Sequence, residues 1–170
     1  SLEVRPGDTV AVVGATGSGK TTLASLAARF YDPDQGWVSL DGVDLRSWSS
    51  GAFRRTVSLC LQDVFIFAAP ISENISLDRP HLDKKAVQQA AEAANASRFI
   101  QRLPAGLAHP LGERGATLSA GERQLLSFAR ALAGNPRLLI LDEATSSVDP
   151  ETESLIQDAV SRMARKRTTL

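Results

Sequence analysis

Residues 14–21 read Gly-Ala-Thr-Gly-Ser-Gly-Lys-Thr, a glycine and four residues followed by Gly-Lys-Thr. That spacing suits the holding of phosphate. Gly14, Gly17 and Gly19 allow backbone turns that aim several N–H groups at one point, where a side chain would collide with a phosphate oxygen. Thr16, Ser18 and Thr22 border the same loop and join the candidate nucleotide contacts. Lys20 has the reach for β- and γ-phosphate oxygens, and the Thr21 hydroxyl is a ligand of the kind Mg²⁺ takes. This is the Walker A pattern, and it predicts nucleotide binding.

A second candidate is the acid pair Asp142-Glu143, directly after Leu138-Leu139-Ile140-Leu141. The carboxyl end of a buried parallel strand is where open α/β sheets bind ligands. Asp142 there suits a Walker B role, holding Mg²⁺ through its water shell. Glu143 is placed to take a proton from an attacking water. Acids after a strand also serve simply as turn residues, and it is the phosphate loop in the same chain that tips the reading toward catalysis. A third candidate is Leu118-Ser119-Ala120-Gly121-Glu122. Ser-x-x-Glu ahead of an amphipathic stretch is a capping box, which alone explains it. An exposed helix start bearing Ser119 and Gly121 is also an anion site.

These residues need elements to hold them. Residues 10–13 read as a buried strand leading into the loop, and residues 20–30 as the helix leaving it, with Leu23, Leu26, Ala27 and Phe30 on one face. Asp41-Gly42 marks a hairpin turn after a strand at 37–40. A strand is expected at 55–61, then a loop through Pro70. Helices are expected at 83–94, 97–103 and 119–133, the last stopped by Gly134-Asn135-Pro136. The apolar run 138–141 reads as a central strand. A helix from Asp149-Pro150 to about 165 carries the stripe Leu155, Ile156, Ala159, Val160 and Met163, and 168–170 opens another strand. Strands separated by helices predict an α/β fold with a largely parallel sheet, a P-loop NTPase core. The expected division is core and β part at 1–75 and 136–170, with a helical subdomain at 76–135.

Bulk composition narrows the partners. The 170 residues carry 19 basic and 19 acidic side chains, a balance that gives no sign of a nucleic-acid or acidic-lipid surface. The few aromatics do not interleave with basic clusters as in single-strand binders. The single cysteine, Cys60, forms no internal disulfide and reads as a buried, inert thiol, in keeping with reducing surroundings. No run approaches the roughly 18 apolar residues of a membrane span. The chain reads as a fragment, since it starts without Met and stops where a strand opens.

Residues 118–124 resemble the signature motif of the ABC ATPases, and lie between Walker A and Walker B as that motif does. The family form usually has Gly at the position of Ala120 and often Gln at that of Glu122. The resemblance covers essentially the whole chain. Gln62 is similar to the Q-loop glutamine, which senses Mg²⁺ and nucleotide beside the transmembrane contact. Ser147-Val148-Asp149 resembles the D-loop, though Asp149 before Pro150 also fits a plain helix cap. Gly112-Glu113-Arg114-Gly115 resembles the x-loop of exporters, and residues 65–75 look exporter-like.

The resemblance implies ATP and Mg²⁺ as ligands and a head-to-tail pair of domains. Each ATP would lie between Walker A of one copy and the signature of the other. It implies a catalytic set of Glu143, Lys20 and Gln62, with Thr21, Gln62 and Asp142 around the metal. Residues 14 and 16–22 would contact nucleotide in cis and Ser119 and Gly121 in trans, and Asp149 is a further nucleotide contact. The implied partners are a second ATP-binding domain and a transmembrane domain, at the cytoplasmic face of a membrane. An adenine-stacking aromatic is expected upstream of Ser1 and a switch histidine beyond Leu170, so these 170 residues alone are expected to hydrolyse ATP poorly. A soluble non-transport ABC ATPase, an importer subunit and a non-hydrolysing regulator stand as alternatives. Long coiled coils are absent between the motifs, and Glu143 speaks against the regulator. The cargo has no signal in these residues.

Overall fold

The structure is a computed structural model that describes residues 2–61, 63–142, 150–165 and 167–170. The loop at 14–19 leads into α1 (Lys20–Ala27), which ends short of the predicted residue 30 and leaves Phe30 more than half exposed. Asp41-Gly42 turns the antiparallel hairpin of β1 (Ser39–Leu40) and β2 (Val43–Asp44) as expected. Arg55 and Thr56 belong to α2 (Ser50–Thr56), capped by the Ser49 hydroxyl, so β3 is only Val57–Cys60. Directly after the predicted loop, which ends at Pro70, comes a helix that hydrophobic spacing does not reveal, α3 (Ile71–Ser76). Then come α4 (Lys84–Ala93), capped by Asp83, the short α5 (Ser97–Ile100) and α6 (Ala120–Ala133). β4 (Leu138–Leu141), α7 (Pro150–Ala164) and β5 (Thr168–Thr169) complete the order.

β3, β4 and β5 form a parallel sheet in that order, with Cys60 opposite Leu141 and Leu139 opposite Thr169. The central strand β4 is apolar throughout because both of its faces are covered. Leu139, fully buried, joins a core with residues of α3, α4, α6 and α7. Ile140, pointing the other way, packs with Leu45, Phe53 and Val57 and is backed by Ala24 and Ala27 of α1. Period-2 alternation along one four-residue strand thereby divides the interior in two. The result is the mixed α/β fold with a parallel sheet that the pattern of motifs predicts.

Residues 10–13 depart from prediction. Thr9 bridges Thr169 in parallel, and the Val10 N–H donates to the Thr169 carbonyl at 2.9 Å, but no strand follows. Val12 and Val13 are 39% and 88% exposed. Leu170, the last residue, spends its N–H and carbonyl on Leu139 and Leu141 of β4. Among the described residues, none pairs its backbone with residues 11–13. β-branched side chains favour a strand only where a ladder exists to take their backbone groups.

α3 is held from α6. Arg130 donates through Nε to the Asn74 carbonyl, through Nη1 to the Phe65 carbonyl and through Nη2 to Asn74 Oδ1, at 2.8–3.1 Å. Its guanidinium also lies 5.6 Å from the Phe67 ring centre. Asn74, fully buried, closes the turn by accepting from Phe67 N–H and donating to the carbonyls of Phe67 and Ala69. Polar groups buried in this segment thus have partners, as their burial requires.

Candidate nucleotide-binding site

The loop at 14–19 is shaped by its glycines. Gly17 and Gly19 sit at φ of 82° and 91°, a region that L side chains rarely enter. At Gly14 the constraint is one of space, because a Cβ there would lie 2.6 Å from Ser18 Oγ and that hydroxyl would have to turn away. Residues 14–19 are exposed. Gly19 is the N-cap of α1 and offers no side chain to close the helix end. The first helical bond runs from Leu23 N–H to the Gly19 carbonyl. The N–H groups of Gly19, Lys20, Thr21 and Thr22 find no acceptor among the described residues. An open helix start with converging N–H groups and a positive dipole end is an anion site. Lys20 folds into the same loop, its Nζ 2.8 Å from the Gly14 carbonyl and 3.1 Å from that of Ala15. An ammonium has three protons, so one remains for an anion.

The acid arrives from the sheet. Asp142 follows β4, and its N–H donates to the Cys60 carbonyl at the end of β3. The Thr21 hydroxyl lies 3.5 Å from Asp142 Oδ1. A hydroxyl and a carboxylate from two elements thus meet beside the phosphate loop, oxygen ligands of the kind Mg²⁺ prefers when phosphate oxygens and water complete the shell.

The start of α6 is built differently. Ser119 Oγ accepts from Glu122 N–H at 3.1 Å, and Glu122 Oε2 accepts from Ser119 N–H at 2.9 Å, the reciprocal capping box foreseen from Ser-x-x-Glu. Arg123 donates to the Leu118 carbonyl at 2.6 Å and fixes the residue before the cap. Ser119 is exposed, and Gly121 is buried. Among the described residues, no hydrogen bond or ion pair joins 119–122 to the loop at 14–21. The structure therefore brings Lys20, Thr21 and Asp142 together and leaves Ser119 and Gly121 as a separate cluster.

Gln62, Glu143 and Asp149, with Ser147 and Val148, lie outside the described residues. Cys60 is 2% exposed, and burial pushes its thiol up to about 12, against the hydrogen bond from Ser127. It is the inert cysteine expected. One residue beside a candidate cluster has no signal in the sequence, Arg102, which pairs with Glu122 at 3.5 Å. It lies in the turn after α5, and only three-dimensional proximity distinguishes it from a solvated charge.

The sequence pattern of the ABC transporter family matches residues 1–146. The chain is similar to an uncharacterized ABC transporter ATP-binding protein, YknV, of Bacillus subtilis, 46% identical over all of this chain and 28% of that protein. It is similar to an ATP-dependent lipid A-core flippase of Chromobacterium violaceum, 48% identical over 99% of this chain and 29% of the other. Its fold matches that of a bacterial Atm1-family ABC exporter solved with ATP bound, at a TM-score of 0.88 and 40% identity, over 99% of this chain and 29% of that one. The chain thus spans less than a third of the length of these relatives. No helix among the described residues is long and apolar enough to cross a membrane. A match running through most of the chain, with relatives that share nearly half its residues, leads to one conclusion: the chain belongs to the ABC transporter family, as its ATP-binding domain.

Proposed function

We propose that this domain binds ATP with Mg²⁺ and hydrolyses it as one half of a head-to-tail pair, driving export by transmembrane segments from the cytoplasmic face of a membrane. The observation that carries the reading is the uncapped start of α1, with four unpartnered N–H groups, the Lys20 ammonium inside the loop, and Thr21 meeting Asp142. Mg²⁺, when bound there, would neutralise triphosphate charge. Gly14, Thr16, Gly17, Ser18, Gly19 and Thr22 line the approach to the phosphates. Gln62 and Asp149 are placed with them by resemblance, Gln62 as a residue that senses Mg²⁺ and nucleotide and Asp149 as a D-loop residue at the nucleotide. Glu143 is the base for the attacking water, and residues 76–135 form the helical subdomain.

Export is the favoured setting because this chain is alike, over 99% of its length, to a putative multidrug export protein of Bacillus subtilis and to the lipid A-core flippase. A soluble ATPase or an importer subunit has no such observation behind it. The test is ATP binding and turnover by the intact transporter. Lys20→Ala should weaken ATP binding roughly tenfold to a hundredfold, the worth of lost charge-assisted hydrogen bonds. Glu143→Gln should bind ATP as the wild type does and lose turnover. Wild-type hydrolysis by Glu143→Gln removes that residue as the base, and unchanged ATP binding by Lys20→Ala removes the loop as the site.

A further inference from the structure

The cap of α6 contains a carboxylate in an unfavourable place for an anion site. Glu122 Oε2 is spent on the Ser119 N–H, and Oε1 lies 3.5 Å from Arg102 Nη2. Arg102 follows α5, and its side chain is 75% exposed against 26% for Glu122. Ion pairs this open to water add little to folding stability. Their field on neighbouring groups is another matter. The Ala120 and Gly121 N–H groups have no acceptor among the described residues. Ser119 Oγ accepts from Glu122 N–H and keeps its own proton to donate. These three donors suit an oxyanion at a helix start, yet a carboxylate a few ångströms away repels one unless its charge is answered. A glutamine closes a capping box equally well without any charge.

Resting on the head-to-tail reading above, we propose that Arg102 is a positioning residue of the composite site. Through its pair with Glu122 it lets an acidic residue complete the helix cap without repelling the triphosphate held by the facing copy. Arg102 itself need not touch the nucleotide. Its effect is conditional on the negative charge of Glu122, which separates it from a residue that binds phosphate directly or merely supports the fold.

The test is a cycle of variants in the intact transporter, read as KM and kcat for ATP at low and high salt. Arg102→Ala should raise KM about threefold to tenfold with little change in kcat. The effect should shrink as salt rises, since exposed charges are screened. Arg102→Lys, which keeps the charge, should stay near wild type. In a Glu122→Gln background the same Arg102→Ala change should move KM by less than about 1.5-fold. Equal shifts in both backgrounds, no shift in the Glu122 background, or a lysine variant as impaired as alanine would each overturn the proposal. Failure of the underlying reading looks different, because Ser119→Ala would then leave KM unmoved whatever residue stands at 102.

Discussion

At the scale of single residues, two glycines of one loop are required for different reasons. Gly19 has open space around its α-carbon but a φ of 91°, whereas a side chain at Gly14 would have to displace the Ser18 hydroxyl. Burial acts as selectively at Cys60, whose carbonyl accepts from the Asp142 N–H at 2.9 Å. The folded thiol is held near 12 against an ordinary value of 9.0. Its neutral form is therefore favoured in the folded state, and the sign follows from linkage. The contribution is complete below about pH 9 and is lost as pH rises from 9 toward 12, where the unfolded thiol ionises and the folded one does not. Unfolding midpoints should fall across that window, by up to about 1.4 kcal/mol per pH unit, and Cys60→Ala should flatten this part of the profile. A thiol-reactive chromophore should leave native protein unlabelled at pH 8 and label it on addition of denaturant. Rapid labelling of the folded protein would show the thiol to be accessible.

At the scale of elements, what the sequence makes legible is whatever is written locally. The cap at Ser119 and Glu122, the stop at Gly134, the Asp41-Gly42 turn and the apolar β4 are each carried by adjacent residues, and each is present. So is the meeting of a phosphate loop with an acid, because motif spacing encodes it. What is not legible depends on neighbours far along the chain. Residues 10–13 carry strand-forming side chains, yet among the described residues only Val10 finds a backbone partner, at Thr169. α3 has six residues, too few for a helical period to show, and exists because Arg130 and Asn74 satisfy its surroundings. That dependence predicts a size of effect. Arg130→Ala removes three charge-assisted bonds and leaves the Phe65 and Asn74 carbonyls without those donors. It should cost roughly 2–4 kcal/mol in denaturant unfolding. Arg130→Lys should recover little, because Nε, Nη1 and Nη2 serve separate acceptors that one ammonium cannot span. A loss below about 0.5 kcal/mol would mean that the segment is held by its apolar contacts alone.

At the scale of the whole molecule, the proposed function divides the work of binding an anion between the two helix starts. α1 is open, with four free N–H groups and a lysine, while α6 is half closed by its own cap and retains two. Neither is bonded to the other among the described residues. On the proposed function, two unlike anion sites are united across a pair, each copy lending one half to the other. This arrangement has a consequence that a site built within one copy lacks. Take one copy disabled at the loop by Lys20→Ala and another disabled at the α6 start by Ser119→Arg. Each variant paired with itself should fail to occlude ATP, because every composite site contains one dead half. In a mixed pair both defects fall into the same site. The other site joins the intact loop of the Ser119→Arg copy to the intact signature of the Lys20→Ala copy. Co-expressing the two variants with different affinity tags, purifying the mixed pair and counting trapped nucleotide should give about one ATP per pair, against none for either parent. If loop and α6 start served the same nucleotide within one copy, mixing would rescue nothing, because each copy would still hold its own defect. Recovery in the mixed pair alone is the result that only sites shared between copies can produce.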